Sequence, residues 1–196
     1  MGGGDKPLRL LAGRPVIAHI VARLSPQVST LALSANGDPL RLASWDLPVV
    51  ADTIEGHLGP LAGVLAGLAW LTAAHPGISG LLTVPGDTPF LPFDLVDRLV
   101  AARNAQAAEI AIAASSGRTH PVVALWPVGL ARALNEALAV EGLRKVEAFV
   151  SRYRVAVVDY PAQPIDPFFN INTEADLTAA ALAASSIAAS AKPRSS

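Results

Sequence analysis

Segments of helical spacing alternate with strand-like segments along almost the whole chain, and this alternation restricts the possible folds most. Apolar residues recur at helical intervals over residues 16–24, directly after Pro15, and a β-rich run follows at residues 28–33. A second apolar helix opens at Pro60 and ends near residue 74. Such an alternation is typical of a sheet with helices on both faces. The sequence therefore predicts an α/β sandwich of three layers with a mostly parallel sheet.

The composition excludes several classes of protein. Of the 196 residues, 52% are hydrophobic and none is cysteine, which excludes general disorder, disulfides and thiolate metal sites. A formal net charge of −1 offers no general attraction for nucleic acid. No apolar run has the length of a membrane span, and the first residues lack the character of a signal peptide. We therefore expect a cytoplasmic protein that binds neither nucleic acid nor membrane, with one domain at residues 1–184 and a disordered tail at residues 185–196.

The strongest candidate site residue is Asp87. Residues 81–84 form a continuous apolar run, as expected of a central strand that is buried on both faces, and Pro85-Gly86-Asp87 follows directly. In open α/β sheets, ligands bind beyond the carboxyl ends of the strands. A carboxylate at this position suits Mg²⁺, which is often held by one or two carboxylates and substrate phosphates. Capping of a turn is the alternative role for Asp87.

Two glycine-containing segments are candidates for binding phosphate. The first, residues 2–6, combines three glycines with Asp5 and Lys6, as in a phosphate loop, although a flexible chain start has the same composition. The second, residues 59–63, lies between a short strand predicted at residues 47–51, which stops at Asp52, and the helix that opens at Pro60. Gly59 would let the backbone approach a ligand at the helix N-terminus. A tight turn, with Gly63 packed against the sheet, is compatible with the same pattern.

Polar residues near the end of the chain are candidates for a second binding region. Asn170 and Asn172 precede the last helix, for which Thr173 is the expected N-cap, and alternation directs both amides to one side. Such a pair could bind a polar ligand such as a pterin, or could serve only the turn. His120 leads into a strand and can face the ligand, although the four histidines are not spaced as a metal site.

Taken in order, these segments resemble the molybdenum cofactor guanylyltransferases, over nearly the whole chain. The order and spacing of the segments carry the resemblance, since most of them are weak signals alone. The matching segments are Met1-Gly2-Gly3-Gly4-Asp5-Lys6, Gly13-Arg14-Pro15-Val16, Ser34-Ala35-Asn36, Asp52, Gly59-Pro60-Leu61-Ala62-Gly63, Pro85-Gly86-Asp87-Thr88-Pro89, His120-Pro121 and Phe169-Asn170-Ile171-Asn172-Thr173-Glu174.

The resemblance implies a Rossmann-like nucleotidyltransferase that uses GTP, Mg²⁺ and Mo-molybdopterin. The terminal phosphate of the pterin cofactor attacks the α-phosphorus of GTP, pyrophosphate leaves, and a guanine dinucleotide cofactor forms. It also implies contacts with molybdopterin-synthesis proteins and recipient molybdoenzymes. By position, the resemblance implies that Lys6 and Asp87 are the catalytic residues and that Asp87 is the metal ligand. The residues implied to hold the nucleotide are Lys6, Asn36, Asp52, Gly59, Pro60, Leu61, Gly63 and Asp87. Those implied to hold the pterin are Asn170, Asn172 and His120.

The chain departs from the family pattern in two places. Family members carry a first strand and a Leu-Ala-Gly-Gly loop before the Met-Gly-Gly segment, so we expect this strand and loop upstream of Met1, with Met1 as a mis-set start. Where members often show Asn-Ala-Asn, this chain has Ser34-Ala35-Asn36, so the resemblance does not by itself imply a guanine or ribose contact in this segment.

Three alternative functions remain compatible with the sequence. Cytidylyltransferases of the same pathway share the fold, but tend toward Asp-Gln-Pro where this chain has Asp87-Thr88-Pro89. Sugar-phosphate nucleotidyltransferases are disfavoured by the short chain. A non-catalytic molybdopterin-binding or adaptor protein is the third alternative.

Overall fold

The computed structural model describes residues 6–54 and 59–190, and within these ranges helices and strands alternate as the sequence predicts. The strands are β1 (Leu10–Leu11), β2 (Arg14–Pro15), β3 (Leu33–Ser34), β4 (Val49–Val50), β5 (Gly80–Thr83), β6 (Ile110–Ser115), β7 (Arg118–Pro127) and β8 (Val155–Tyr160). The helices are α1 (Val16–Leu24), α2 (Pro60–Ala74), α3 (Leu95–Ala105), α4 (Ala131–Ala139), α5 (Val146–Val150) and α6 (Glu174–Ser190). Short 3₁₀ helices at Lys6–Leu8, Ser25–Gln27, Pro39–Trp45 and Val128–Leu130 complete the described part of the chain.

The main sheet has four strands in the order β5-β7-β6-β8. β6 and β8 are parallel, whereas β7 is antiparallel to both β5 and β6. Three of the four strands therefore run in the same direction, as the predicted mostly parallel sheet requires, and the reversed β7 makes the sheet mixed. The cause is a two-residue turn at Ser116 and Gly117, whose φ angles of 50° and 73° are those of a hairpin turn. β3 and β4 form a separate parallel pair, and β1 and β2 a small antiparallel one.

Helices cover both faces of the main sheet, which confirms the three-layer architecture. Alternate residues of β6 face opposite layers, so that Ala111 and Ala113 pack beneath α1 and α3, while Ile110 and Ile112 pack beneath α2, α4 and α5. All six residues of β6 are buried. The burial of apolar side chains on both faces is the main stabilising contribution to this arrangement. No helix in the described ranges is long and apolar enough to cross a membrane.

β5 lies at an edge of the described sheet, whereas the sequence predicts a central strand there. Every residue of β5 is only half-buried, because one edge pairs with β7 while the other faces an open cleft of about 940 Å³. The opposite wall of the cleft is formed by residues 27–36, including β3. Among the described strands, the central position buried on both faces belongs to β6 instead.

Helix α2 connects the two walls of this cleft. Two of its glycines lie one turn apart and face the sheet layer: a Cβ atom on Gly63 would lie 3.1 Å from Ser34 Oγ, and one on Gly67 would lie 2.9 Å from Leu81 Cδ2. The absence of side chains at these two positions lets the helix backbone approach both β3 and β5. The predicted packing of Gly63 against the sheet is thereby confirmed.

Three predicted boundaries differ from the structure. The strand predicted at residues 28–33 is reduced to Leu33–Ser34, and the one predicted at residues 47–51 to Val49–Val50, because these two strands pair only with each other. Residues 28–32 line the cleft and have no strand partner in the described ranges. Helix α6 continues to Ser190, past the predicted start of a tail at residue 185, as its alanine-rich sequence favours. Residues 191–196 lie outside the described ranges.

A buried hydrogen bond between β5 and β7 provides a test of this core. Trp126, 0% exposed, donates its indole N–H to Thr83 Oγ1 at 2.8 Å, and this hydroxyl donates to the carbonyl of Val122 at 2.7 Å. Replacement Thr83→Val leaves the indole N–H without its acceptor and should lower the free energy of unfolding by about 1–3 kcal/mol, measured by urea denaturation. Thr83→Ser keeps the hydroxyl and is the matched control. An equal loss in both variants would contradict this account.

Candidate active site

The carboxyl ends of β5, β6 and β8 lie at one edge of the main sheet. β5 and β6 are both antiparallel to β7, and β6 is parallel to β8, so all three run in the same direction. The loop that contains Asp87 follows β5, and residues 161–173 follow β8. This edge is where ligands bind in open α/β sheets. The predicted site residues on these two loops are therefore brought to the same end of the molecule.

A backbone hydrogen bond joins the two loops directly. The N–H of Ile171 donates to the carbonyl oxygen of Asp87 at 2.9 Å. Ile171 is 1% exposed, whereas Asn170 and Asn172 on either side of it are exposed. The alternation predicted for the asparagines is thus confirmed, because the buried side chain between them anchors the loop in the core. The two amides flank the residue that is bonded to Asp87.

The turn that carries Asp87 is held rigidly by its neighbours. Thr88 is 0% exposed and donates its hydroxyl to the carbonyl of Pro85 at 2.9 Å. A Cβ atom on Gly86 would lie 3.2 Å from Pro7 Cγ, so the 3₁₀ helix Lys6–Leu8 packs closely against this turn. The backbone at Lys6 is therefore near Asp87, as the predicted shared role requires. The side chain of Lys6 and residues 1–5, including the predicted glycine run, lie outside the described part.

The asparagine loop is connected to α6 by a reciprocal capping box. Thr173 Oγ1 accepts a hydrogen bond from the N–H of Asp176 at 3.1 Å, and Asp176 Oδ2 accepts from the N–H groups of Thr173 and Asn172 at 2.8 and 3.0 Å. The predicted N-cap at Thr173 is confirmed. The backbone hydrogen bond from Thr173 lowers the pKa of Asp176 below its ordinary value. This contribution to stability is therefore present at neutral pH and is lost as the pH falls through the lowered pKa.

Asn36 and Asp52 form a second clamp, which ties the ends of β3 and β4 together. Asn36 Nδ2 donates to Asp52 Oδ2 at 2.8 Å, and the N–H of Asp52 donates to Asn36 Oδ1 at 2.9 Å. Both residues line the cleft. Because both the nitrogen and the oxygen of the Asn36 amide bond to Asp52, its direct effect in this structure is to fix the Asp52 carboxylate at the rim of the cleft.

The glycine segment before α2 is divided between the cleft and the core. Gly59 lines the cleft with φ 75° and ψ −167°, a backbone conformation that is essentially restricted to glycine. Pro60 occupies the first turn of α2 and also lines the cleft. Leu61, the second residue of α2, is 0% exposed and belongs to the core that α2 shares with α4. Its side chain is therefore not available to a nucleotide. Residues 55–58 lie outside the described ranges.

His120 belongs to a polar cluster that the sequence did not reveal. Ser115 Oγ lies 2.8 Å from His120 Nε2 and 2.9 Å from each carboxylate oxygen of Asp166. The ring of His120 packs against that of Phe168 with their centroids 4.7 Å apart. Burial lowers the pKa of His120, with Asp166 opposing and Arg118 adding to this effect. Residues 115, 120 and 166 have no motif spacing, so only the fold brings them together.

The donor set fits a divalent cation that is shared with substrate phosphates. Among the described residues, no three His, Asp or Glu side chains cluster as a metal site. Asp87 supplies a hard carboxylate oxygen beside a sheet edge suited to phosphates, and Mg²⁺ is commonly bound in this way rather than by an all-protein cage. The residues present are therefore compatible with Mg²⁺ held between one protein carboxylate and the phosphates of a ligand, and Asp87 would supply that carboxylate.

The fold has solved counterparts. It matches a structure described as molybdopterin-guanine dinucleotide biosynthesis protein A from Archaeoglobus fulgidus with a TM-score of 0.72 and 24% identity, covering 94% of this chain and 92% of that one. This match shows that the two proteins share an α/β fold. The family model of the MobA-like NTP transferase domain matches residues 1–157. The chain belongs to this family.

Two close relatives cover nearly the whole chain. One from Rhodopseudomonas palustris strain BisB5, named molybdenum cofactor guanylyltransferase, is 56% identical over 180 residues, which are 92% of this chain and 86% of the relative. One from strain HaA2 with the same name is 55% identical over 180 residues, covering 92% and 84%. The resemblance read from the sequence is therefore confirmed at the level of the family.

The capping box gives a quantitative test of how the asparagine loop is held. Replacement Thr173→Ala removes the side-chain acceptor for the Asp176 N–H and should lower the free energy of unfolding by about 1 kcal/mol, measured by thermal or urea denaturation. Thr178→Ala is the control, because Thr178 is exposed and its hydroxyl bonds only the Glu174 carbonyl within α6. Comparable losses in the two variants would show that the cap does not fix this loop.

Proposed function

We propose that this protein transfers GMP from GTP to Mo-molybdopterin, releasing pyrophosphate and forming a molybdopterin guanine dinucleotide cofactor. The names of the two relatives above, at 56% and 55% identity over most of their lengths, support this activity. The single observation that carries the proposal is the 2.9 Å hydrogen bond from Ile171 to Asp87. This bond joins the Asp87 loop, which is suited to binding metal and phosphate, to the loop that carries the side-chain amides of Asn170 and Asn172.

The arrangement brings two substrates together at one edge of the sheet. GTP lies at the rim of the cleft, where Gly59, the first turn of α2 and the Asp52 carboxylate offer backbone and side-chain contacts. The pterin lies toward Asn170, Asn172 and His120. Asp87 is between the two groups. Nucleotidyl transfer depends mainly on positioning and on charge neutralisation, so residues on rigid loops are sufficient for this chemistry.

Asp87 and Lys6 have the two electrostatic roles in this proposal. Asp87 holds Mg²⁺, which when bound neutralises charge on the triphosphate. Lys6 contacts the nucleotide phosphates, and the packing of Pro7 against Gly86 supports its proximity to Asp87. The terminal phosphate of the pterin cofactor is the nucleophile, and pyrophosphate is the leaving group. The asparagine loop keeps this phosphate in line with the α-phosphorus.

The choice of guanine over cytosine acts through the shape of the Asp87 loop. Thr88, which stands where cytidylyltransferases tend to have glutamine, is buried and bonded to the Pro85 carbonyl. It therefore shapes the turn and does not contact the base. A larger glutamine would not fit the same buried position without moving the turn.

The cleft between β3 and β5 is suited to one further strand. It lies in the sheet layer, with α2 on one side and apolar residues of α1 and α3 on the other, so it fits a strand that is apolar on both faces. Such a strand would pair with β3 and β5 and would deliver a phosphate loop beside Asp52 and Asp87. Calorimetry with GTP and Mg²⁺, on this chain and on a form extended by an apolar strand and a glycine-rich loop, tests this. Tighter binding by the extended form is expected, and equal affinity would contradict the assignment.

The activity is tested by supplying Mo-molybdopterin, Mg²⁺ and either GTP or CTP, and by measuring pyrophosphate release and the dinucleotide product. We expect a GMP-containing product, with GTP strongly preferred. Product formed from CTP would establish the cytidylyltransferase alternative. Binding of molybdopterin without turnover of either nucleotide would establish the adaptor alternative.

The metal role of Asp87 gives a direct prediction. Asp87→Asn keeps the shape of the side chain but removes its charge, so Mg²⁺-dependent pyrophosphate release should fall by at least about 100-fold while the thermal unfolding temperature changes little. Glu109→Gln is the matched control, since Glu109 lies at the amino end of β6 and its carboxylate accepts from the N–H of Arg154 at 3.1 Å. Unchanged turnover in Asp87→Asn would refute the assignment.

A further inference from the structure

The cluster of Ser115, His120 and Asp166 has a proton arrangement that can be deduced from its geometry. A serine hydroxyl carries one hydrogen, and an ionised carboxylate only accepts. Ser115 Oγ is 2.9 Å from both oxygens of Asp166, to which it donates. Its contact of 2.8 Å with His120 Nε2 therefore has to be a hydrogen bond donated by the ring. This places the proton of His120 on Nε2.

The partners of the cluster are themselves held in place. Ser115 is 1% exposed at the end of β6. Asp166 Oδ1 also accepts from the N–H of Phe168 at 2.9 Å, which fixes the orientation of the carboxylate. The ring of Phe168 packs on His120 on one side and meets the edge of Tyr160 on the other. The position of the imidazole is therefore determined on two sides, by Ser115 and by Phe168.

A local irregularity in the sheet directs His120 toward the carboxyl edge. The pairing of β6 with β7 shifts between Ile112 and Ala113: Ile112 pairs with Ala124, and Ala113 already pairs with His120. The three extra residues of β7 include Pro121, which has no N–H to donate to the ladder. Irregularities of this kind redirect a side chain next to a site.

With Nε2 protonated, Nδ1 of a neutral His120 carries a lone pair. None of the described residues hydrogen-bonds to Nδ1, and the ring is only partly buried. The charged groups that act on the ring are Asp166 and Arg118, and burial, the largest effect, lowers the pKa of His120. The neutral form is therefore present at physiological pH. A lone pair at this edge accepts a hydrogen bond from an N–H group, and a pterin ring offers such groups along its pyrimidine edge.

We propose that Ser115 and Asp166 are positioning residues, which fix His120 in the Nε2–H tautomer so that Nδ1 accepts a hydrogen bond from an N–H of the pterin substrate. This inference rests on the proposed function for the identity of the ligand, but the tautomer itself does not. Ser115 has no role as a nucleophile here, because its hydroxyl is buried and directed to Asp166. The cluster therefore recognises the ligand and takes no part in bond making.

Reversal of the tautomer is the sharpest test of the positioning role. In Asp166→Asn, the amide oxygen continues to accept from the N–H of Phe168, and the amide nitrogen donates to Ser115 Oγ. The serine proton then turns to His120 Nε2, which becomes the acceptor, and the ring proton moves to Nδ1. The exposed Asp159→Asn on β8 is the control and should leave the tautomer unchanged. Circular dichroism and thermal melting verify that each variant is folded.

The tautomer is read by NMR of the full chain labelled with ¹⁵N-histidine, in which His120→Gln identifies the resonances of His120 among those of the four histidines. We expect Nε2–H in the wild type, Nδ1–H in Asp166→Asn, and exchange between both forms in Ser115→Ala. Nδ1–H in the wild type, or an unchanged tautomer in both folded variants, would overturn the positioning role.

Contact with the pterin is tested separately by kinetics. His120→Gln, Ser115→Ala and Asp166→Asn should each raise KM for molybdopterin by roughly 2- to 10-fold, with kcat and KM for GTP little changed, because a hydrogen bond remote from the reacting phosphate affects binding. In the wild type, KM for molybdopterin should rise as the pH falls through the lowered pKa of His120, since the protonated ring cannot accept. If KM for molybdopterin were unchanged in variants that show the predicted tautomers, the pterin contact would be refuted. If the wild type transferred no GMP at all, the proposed function would be refuted, but the tautomer assignment would not be affected.

Discussion

The backbone hydrogen bond from Ile171 to Asp87 is the contact on which the site depends. It connects two loops that are 84 residues apart in sequence and that follow β5 and β8, at opposite sides of the main sheet. It links the two loops directly, in addition to the core in which both loops are packed. Because Ile171 is buried while its neighbouring asparagines are exposed, the same residue anchors the loop and presents the two amides. A small set of contacts thus sets the distance between the two loops.

The core explains why this contact can be maintained. β6 is buried along its whole length, and the two apolar layers pack against its opposite faces. Densely packed interiors resist displacement, so the strand ends and their loops keep fixed positions. Thr83 ties β5 to β7 through Trp126, immediately before the turn that leads to Asp87. On the other side, the capping box at Thr173 attaches the asparagine loop to the start of α6. Rigidity at the edge of the sheet is what catalysis by positioning requires.

Sequence patterns could predict the elements whose cause is local. The apolar spacing after Pro15 predicted α1, the proline at position 60 predicted the start of α2, and Thr173 predicted the start of α6. The exposed asparagines around Ile171 also followed from simple alternation. The antiparallel course of β7 was not predicted, because pairing partners are chosen by the tertiary fold rather than by strand propensity. For the same reason β5, which reads as a central strand, is half-buried beside the cleft.

The positions of the candidate site residues in the fold were predicted unevenly for similar reasons. Asp87, Asn170 and Asn172 stand directly after strands or before a helix, where sequence order reveals their position. Ser115 and Asp166 were missed because a serine at the end of a strand and an aspartate in a loop carry no signal until the fold brings them to His120. Leu61 shows the opposite case: it lies in a segment that matches the family pattern, yet its side chain belongs to the core. A motif position therefore does not by itself show that a side chain contacts the ligand.

The most direct measurement of the central claim is the location of a divalent cation in crystals of the protein grown with Mn²⁺ and a non-hydrolysable GTP analogue. Anomalous scattering identifies Mn²⁺ independently of the rest of the density. The account predicts a peak in contact with the Asp87 carboxylate and the nucleotide phosphates, with Asn170 and Asn172 facing the α-phosphorus from the other side. A peak bound elsewhere, with nucleotide present and Asp87 not coordinated, would contradict it.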